Sequence, residues 1–276
     1  MIKHFRIVIA LTLASFLFAG CTTTETPKIS NLNKPQQKTA STPDLADGPE
    51  SQNRTILPIH KALEGSNLSG ILFYKGPANV KKAALTFDDG PDIRFTPQIL
   101  EILKRHGVKA TFFIIGTRAQ AHPEMVRRIA QEGHVIGNHT WTHPNLRKLS
   151  PGQVRAEIDK TNQELFKILG YYPDLFRPPY GSTTPSEVRE IGSMGYKVID
   201  WSVDTRDWAG TPTTQIMNYV RSEISPGGII LEHCAGGRGE NLNNTINALP
   251  QIISLLKAQG FTLVTVPELL NIPATM

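Results

Sequence analysis

Cysteine is nearly absent from this 276-residue chain, which contains only Cys21 and Cys234. Two cysteines permit one disulfide at most, so the disulfide-dense scaffolds of small secreted proteins are excluded. Stability must therefore come from a buried core. With 39% hydrophobic residues, the chain can bury one core of good size.

Long apolar runs are lacking as well, because the run Ile7–Ala19 spans only 13 residues. A membrane-spanning helix needs about 20 apolar residues, so this run is too short. Lys3 and Arg6 precede the run, and Gly20 and Cys21 follow it. Basic residues, a short apolar run and small residues in this order are the layout of a secretory signal peptide.

The end of this run, Leu17-Phe18-Ala19-Gly20-Cys21, resembles a bacterial lipoprotein box. The resemblance implies that residues 1–20 are a lipoprotein signal peptide and that Cys21 becomes the lipidated first residue of the mature protein. The protein would then be exported and anchored by its lipid to the outer face of the bacterial cell membrane. A signal peptide cut near Ala19 without lipidation, and an uncleaved anchor, remain alternatives.

A strong charge of one sign is also missing. The formal net charge is +5, and it falls to +3 when the signal peptide takes away Lys3 and Arg6. No basic run with interleaved aromatic residues is present, so we expect no nucleic-acid partner. The mild positive surplus favours an anionic wall or membrane surface.

Sustained apolar periodicity is absent from residues 22–69, which are rich in Thr, Pro, Lys, Gln, Asn and Ser. This composition predicts a flexible tether over residues 21–69. About 40 extended residues can reach beyond roughly 100 Å, enough to lift a domain off a membrane. We therefore expect one folded domain over residues 70–276, beginning with a short strand at Ile71–Lys75.

Short apolar runs alternate with amphipathic stretches from residue 82 onward. The predicted strands are Ala83–Phe87, Lys109–Ile114, His134–Gly137, Asp174–Phe176, Lys197–Trp201, Gly228–Glu232 and Phe261–Val266. Helices are predicted to begin at Thr96-Pro97, Ser150-Pro151, Thr184-Pro185 and Thr211-Pro212, where a hydroxyl can cap the first turn. This β/α alternation predicts an α/β domain with a parallel sheet, either open or closed into a barrel.

Two adjacent carboxylates, Asp88 and Asp89, end the strand Ala83–Phe87, and Gly90-Pro91 stops it. The carboxyl ends of strands are where α/β folds usually build their sites. Adjacent strand residues point to opposite faces, so the two acids need not share a role. A polar turn after the strand is the alternative interpretation of Asp-Asp-Gly.

Four further polar motifs follow other predicted strands. They are Asn138–Pro144 with its two histidines, Arg177–Gly181, Asp204–Trp208 and Leu231–His233. Two histidines four residues apart can bind one metal ion if the segment turns like a helix, and an added carboxylate completes an open catalytic site. Each motif alone also fits a surface loop, a solvated charge cluster or a packed histidine. Chance placement of all five motifs at strand ends is much harder to accept than any one of these alternatives.

The order of these five motifs resembles the polysaccharide deacetylases of carbohydrate esterase family four. The matching residues are Thr-Phe-Asp-Asp-Gly at 86–90, His-Thr-x-x-His at 139–143, Arg-Pro-Pro-Tyr-Gly at 177–181, Asp-x-x-Asp-Trp at 204–208 and Leu-x-His at 231–233. The resemblance covers residues 82–270. It implies a distorted (β/α) barrel and a metal-dependent hydrolase that removes N-acetyl groups from N-acetylglucosamine residues of a polysaccharide.

The resemblance also implies a role for each matching residue. One divalent metal ion, commonly zinc in the family, would be held by Asp89, His139 and His143. Asp88 would be the general base and would pair with Arg177.

The remaining roles concern the acid and the substrate. His233 would be the general acid, oriented by Asp207. The backbone amide of Tyr180 would hold the oxyanion, and Trp208 and Leu231 would line the pocket for the acetyl methyl group.

The sequence departs from the family after His233, where Cys234 begins the run Cys-Ala-Gly-Gly and many relatives carry an acid. We interpret Cys234 as a small buried or loop residue, because no base is evident beside its thiol.

The predicted anchor and tether favour cell-wall peptidoglycan as the polysaccharide, acted on by a monomer. A chitooligosaccharide deacetylase and an O-acetyl xylan-type esterase use the same machinery and remain alternatives. A glycan-binding lipoprotein without activity is the alternative of another class, and it is disfavoured because no motif residue is lost.

Overall fold

Nine strands and ten α-helices alternate along the residues that the structure, a computed structural model, describes: 41–54 and 59–276. The strands are β1 (Leu72–Phe73), β2 (Lys82–Gly90), β3 (Thr111–Ile114), β4 (Val135–Asn138), β5 (Leu175–Phe176), β6 (Lys197–Ile199), β7 (Val203–Asp204), β8 (Gly228–His233) and β9 (Thr262–Leu263). The helices are α1 (Glu50–Asn53), α2 (Ile59–Ala62), α3 (Thr96–His106), α4 (Gly116–Ala121), α5 (Pro123–Gln131), α6 (Pro151–Leu169), α7 (Pro185–Ser193), α8 (Thr213–Glu223), α9 (Asn243–Ala258) and α10 (Val266–Leu270). The predicted β/α alternation is confirmed.

Parallel pairing joins the strands in one sheet of order β1-β6-β5-β4-β3-β2-β8-β7, with β9 beside β2. β6 and β7 lie far apart in this order, yet only Asp200–Ser202 separates them in the chain. The sheet must therefore curl back on itself, because β6 pairs with β5 and β7 pairs with β8. The expected α/β fold, a distorted (β/α) barrel, is confirmed.

Apolar side chains cover both faces of β2. Leu85 and Phe87 pack into a cluster shared with helices α3 and α9, whereas Ala84 packs into a second cluster with Phe113 and Trp201. Strand alternation places Asp88 on the same face as Ala84. Asp88 therefore reaches the carboxyl end of the barrel on the face of the second cluster.

Two of the four predicted helix caps are confirmed. The amide of Ser150 donates to Gln153 Oε1 at 2.8 Å, at the start of α6. The amide of Thr184 donates to Glu187 Oε2 at 2.7 Å, at the start of α7. Both helices carry the capping box that their sequence spacing predicts.

The predicted caps at Thr96 and Thr211 are wrong. At α3, the Asp92 carboxylate accepts hydrogen bonds from the amides of Phe95 and Thr96, both at 2.8 Å, and so takes over the capping. An ionised carboxylate is the stronger acceptor for such amides. The Thr211 hydroxyl instead donates to the Arg206 carbonyl at 2.6 Å, and Pro212 precedes α8.

The segment before β1 differs from the expected tether. Leu45, Ile59 and Leu68 are buried, with at most 5% of each exposed. Ile59 and Leu68 belong to a cluster formed with apolar residues of α6, α7, β5 and β6. Isolated apolar residues at irregular spacing produce no period, so the sequence pattern does not detect their packing. The compact unit accordingly runs from Ala40 to Met276 and begins earlier than the predicted boundary at residue 70.

The predicted signal peptide, Cys21 and the tether up to residue 40 lie outside the described residues. Among residues 41–54 and 59–276, no helix has both the length and the apolar character that crossing a membrane requires.

Candidate active site

The five polar motifs meet at one edge of the barrel because parallel strands present their carboxyl ends together. β2 ends in Asp88-Asp89-Gly90, and β8 ends at His233. In the register of these two strands, Asp88 lies opposite His233. The loops after β4, β5 and β7 supply the other predicted residues, which are His139, His143, Arg177, Tyr180, Asp207 and Trp208.

Asp88 and Arg177 form a buried ion pair, in which Arg177 Nη1 donates to Asp88 Oδ1 at 2.8 Å. The same nitrogen donates to the hydroxyl of Thr86 at 2.8 Å, and Nε donates to the Ile199 carbonyl at 3.0 Å. Burial lowers the pKa of Arg177, although the Asp88 charge opposes this. The pair fixes one carboxylate oxygen of Asp88, and the other, Oδ2, faces His139 Nε2 at 3.9 Å.

Asp89 lies between the two histidines, with its Oδ1 3.4 Å from His139 Nε2 and 3.1 Å from His143 Nε2. The simple strand alternation expected for Asp88 and Asp89 does not hold, because Asp89 has φ 69° and its side chain turns toward the same histidines. The expected helical turn between the histidines is also absent. Instead, left-handed backbone at Thr140 (φ 67°) and His143 (φ 63°) brings the two rings to 4.9 Å. Backbone strain of this kind is common at functional sites.

Several buried polar atoms of this cluster have no hydrogen-bond partner among the described residues. They are both carboxylate oxygens of Asp89, Nε2 of His139 and Nε2 of His143. The Nδ1 atom of His139 lies 2.6 Å from the Arg177 carbonyl and donates to it, which leaves a lone pair on Nε2. A carboxylate and two imidazoles are a normal donor set for zinc, and their ligand atoms lie within 4.8 Å of one another. The three residues therefore fit one divalent ion.

The electrostatics of the cluster agree with this fit. Burial raises the pKa of Asp89, but the nearby His143 and His139 outweigh it and hold this pKa well below its ordinary value. Burial lowers the pKa of His143, yet the carboxylates of Asp89 and Glu50 raise it to about 9. A metal ion would compete with that proton, since ligands bind metals in their deprotonated form.

His233 is held by Asp207 through two contacts. Its Nδ1 atom lies 2.8 Å from Asp207 Oδ1, and its amide donates to Asp207 Oδ2 at 2.8 Å. Thr245 also donates to Oδ2, at 2.9 Å. Burial lowers the pKa of His233, but the Asp207 charge outweighs burial and raises this pKa to about 10. The arrangement keeps a proton on the ring and leaves Nε2 facing the cluster.

The three predicted substrate residues occupy different positions. Tyr180 has left-handed backbone, with φ 58°, and its ring packs edge-on against His143 with centroids 4.5 Å apart. Leu231 is fully buried in β8, two residues before His233. Trp208 is half-buried, and its indole nitrogen lies 3.4 Å from Asp204 Oδ1.

Three residues near the cluster were missed by the sequence analysis: Glu50, Arg54 and Trp201. Glu50 Oε1 lies 3.3 Å from His143 Nε2, and Arg54 Nη1 lies 3.3 Å from His233 Nε2. Burial raises the pKa of Glu50, but the Arg54 charge and His143 outweigh burial and lower this pKa to about 2. Glu50 and Arg54 belong to no strand-end motif, so no local signal could have found them. Trp201 could have been found from its position two residues after the end of β6.

Cys234 is fully buried, and its Sγ donates to the Asp88 carbonyl at 3.3 Å. Burial raises the pKa of its thiol well above the ordinary value, so the thiolate needed for nucleophilic chemistry is disfavoured.

The chain is similar in sequence to polysaccharide deacetylases. A sequence model of the polysaccharide deacetylase family matches residues 75–199. A peptidoglycan-N-acetylglucosamine deacetylase of Bacillus cereus is 45% identical over 196 residues, which are 71% of this chain and 70% of that protein.

Two further comparisons extend the similarity. The peptidoglycan-N-acetylglucosamine deacetylase PgdA of Listeria monocytogenes is 38% identical over 225 residues, 82% of this chain but only 45% of the longer relative. The crystal structure of the peptidoglycan N-acetylglucosamine deacetylase Bc1960, in complex with a hydroxamate, superposes with a TM-score of 0.72 at 43% identity. That superposition covers 74% of this chain and 95% of the crystallised one.

Proposed function

Because the chain belongs to the polysaccharide deacetylase family, carbohydrate esterase family four, we propose that it is a metal-dependent hydrolase that removes N-acetyl groups from N-acetylglucosamine residues of peptidoglycan. The observation that carries the proposal is the unpaired donor set of Asp89, His139 and His143. It lies between two buried polar pairs, Asp88 with Arg177 and His233 with Asp207. Hydrolysis of an amide needs a base for the water and an acid for the leaving amine, and these pairs are the candidates.

A divalent ion bound by the three ligands would polarise the acetyl carbonyl and lower the pKa of a water molecule. Asp88 takes the proton of that water on Oδ2, because Arg177 holds its Oδ1. His233 delivers a proton from Nε2 to the amide nitrogen as the C–N bond breaks, because Asp207 holds its Nδ1. The products are acetate and the free amine of the sugar.

Tyr180 is proposed to stabilise the developing negative charge on the carbonyl oxygen with its backbone amide. Its left-handed backbone places its ring against His143, with the ring centroids 4.5 Å apart. Trp208 and Leu231 are proposed to contact the acetyl methyl group. Both lie on strands or loops that also carry Asp207 or His233.

The substrate and the location are parts of the same proposal. The two relatives described above are named for peptidoglycan N-acetylglucosamine, which supports this polymer as the substrate. The signal-like run before Cys21 supports export and lipid anchoring to the outer face of the cell membrane. We propose zinc as the ion, because carboxylate and imidazole ligands suit it, and a monomer as the active form.

Mass spectrometry of sugars tests the activity. Purified muropeptides, chitooligosaccharides and acetylated xylan are each incubated with the zinc-loaded protein, and the loss of acetyl groups from each sugar is followed. We expect loss of acetyl from N-acetylglucosamine in muropeptides, and a loss slower by roughly 10² to 10⁴ with the Asp88→Asn variant. A protein that binds these sugars without releasing acetate would be a glycan-binding protein, and the proposal would be rejected.

The anchor is tested separately by Cys21→Ser. This substitution should move the protein from the membrane fraction to the soluble fraction. Detergent partitioning that does not change would argue against lipidation.

A further inference from the structure

Residues 41–54, which we call the strap, lie across the carboxyl end of the barrel, over the cluster described above. We propose that the strap is a reversible cover of the active site and that it closes by supplying Glu50 as a further ligand to the catalytic ion. This inference rests on the proposed function for its biological meaning, but its central test does not. The strap lies outside residues 75–199, which the family model matches.

The strap is attached to the loops that follow several different strands. The Ala46 amide donates to the Thr142 carbonyl at 2.9 Å, after β4. The Gly48 carbonyl accepts from the Tyr180 hydroxyl at 2.9 Å, after β5. Further attachments include the Pro43 carbonyl with Arg118 Nε, Asp44 with the Arg238 amide, and Asp47 with the Asn145 amide, at 2.8 to 3.0 Å. The cover is thus built from contacts around the mouth of the barrel.

Glu50 is buried, with 1% exposed, and its side chain points into the metal cluster. Its Oε1 lies 3.3 Å from His143 Nε2, which is one of the candidate ligand atoms. Glu50, Asp89 and His233 form a second group whose ligand atoms lie within 4.8 Å of one another. Asp89 belongs to both possible ligand groups. An ion held by Asp89 and the histidines would therefore also be within reach of Glu50.

Arg54 occupies the place where the leaving group would accept its proton. Its Nη1 lies 3.3 Å from His233 Nε2, the atom assigned to proton delivery. Its guanidinium lies over the rings of Trp201 and Trp208, with 4.5 Å and 5.3 Å to the ring centroids. Such stacking fills the surface proposed for the acetyl group. A substrate sugar and Arg54 cannot bind there together.

Glu50, at the start of the short helix α1, and Arg54, directly after its end, are also paired with each other at 2.6 Å. A buried ion pair is stable only when both charges are satisfied. The Glu50 carboxylate also lies against the ion site and the Arg54 guanidinium against two aromatic rings, and these further contacts exist only while the strap is closed. Cavities of about 370 Å³ and 530 Å³ border the strap, and both are lined in part by its residues. A polymer can occupy the cleft only if it displaces the strap.

The proposal makes the stability of the closed strap depend on zinc. Coupling between two binding events is reciprocal, so if Glu50 ligates the ion, the ion must also hold the strap closed. Hydrogen–deuterium exchange of the full-length protein measures how strongly zinc holds the strap closed. We expect zinc to slow the exchange of backbone amides in residues 41–54 relative to zinc-free protein, and the effect should disappear in Glu50→Gln.

The matched control is Glu64→Gln, which changes an exposed glutamate in the same N-terminal region. It should keep the zinc-dependent protection. Zinc affinity, measured by competition with a fluorescent chelator, should fall by about tenfold or more in Glu50→Gln and not in Glu64→Gln. Protection of the strap that is equal with and without zinc, or unchanged zinc affinity in Glu50→Gln, would overturn the proposal. Neither measurement requires the protein to deacetylate anything.

Kinetics at saturating zinc then test the covering role. Arg54→Ala should raise kcat/KM on a soluble muropeptide, because the fraction of open protein increases, with a rise of up to about tenfold if the closed form predominates tenfold. Arg221→Ala, on the exposed face of α8, should leave kcat/KM unchanged. A fall in kcat/KM for Arg54→Ala would show that Arg54 assists the reaction and would overturn the covering role. No turnover in any variant, combined with zinc-dependent protection of the strap, would refute the proposed function alone.

Discussion

Replacing Asp88 with Asn separates the role of base from the role of metal ligand. Asp88 Oδ1 is fixed at 2.8 Å from Arg177 Nη1, whereas its Oδ2 lies 3.9 Å from His139 Nε2. Asn keeps an oxygen that can accept from Arg177 but cannot take a proton from water. We therefore expect Asp88→Asn to retain its metal and to lose the factor of roughly 10² to 10⁴ that a positioned base contributes.

The same substitution also has a cost in stability. It leaves the Arg177 guanidinium without a negative partner at a site where the arginine is fully buried. Removing one partner of a buried ion pair costs about 3–5 kcal/mol, and we expect the lower end of that range because Asn still accepts a hydrogen bond. Urea unfolding measures this loss, and the rate must be measured where the variant is fully folded.

Asp89→Ala is the companion variant, because Asp89 Oδ1 is 3.1 Å from His143 Nε2 and 3.4 Å from His139 Nε2. It should lose metal content as well as activity, and added zinc should restore part of the rate. Asp159→Asn, an exposed residue of α6, is the control for the loss of a carboxylate.

Metal content by elemental analysis and acetate release are measured for all three variants. An Asp88→Asn protein without metal, or an Asp89→Ala protein with full metal and only a slower rate, would refute the assignment of roles.

The remaining predictions concern the scaffold. Burial, helped by the Lys109 charge and opposed by Glu132, lowers the pKa of His134 from 6.5 to about 4. Below pH 6.5 the unfolded chain therefore binds a proton that the folded chain does not, and this removes about 2 kcal/mol of stability by pH 5. Urea unfolding at pH 7 and pH 5 should show that acidification costs the protein about this much more stability than it costs His134→Gln, which lacks the imidazole. Ile59→Ala should destabilise the protein by about 2–4 kcal/mol, because Ile59 is 1% exposed; an unchanged urea midpoint would support the tether instead. Cys234→Ala should keep kcat within about twofold, since a buried neutral thiol is inert; a larger loss would assign the thiol a role.

The sequence alone predicted the fold class and the set of residues at the carboxyl edge. The β/α alternation fixes which residues follow strands, and a parallel sheet brings those positions together whatever the details of packing. The sequence also predicted helix caps correctly where no other side chain binds the same backbone amides, as at Ser150 and Thr184. At Thr96 the cap was mispredicted because a carboxylate nearby accepts the same amides.

Only the tertiary structure decided how Asp88 and Asp89 share one site. The left-handed backbone of Asp89, with φ 69°, overrides the alternation of the strand, and it is maintained by contacts that no local pattern encodes. The histidine pair converges for the same reason and not through a helical turn.

The packing of the strap could not be predicted from the sequence, for a different physical reason. Glu50 and Arg54 lie 93 and 179 positions from His143 and His233, and they contact them through single side chains in a segment without periodicity. Periodicity reports which face of an element is buried, and it carries no information about a short segment that packs by isolated contacts. The sequence therefore determined where the polar motifs meet, because strand ends follow from the pattern. The folded chain alone decided what lies over that site, because such long-range contacts exist only after the barrel has formed.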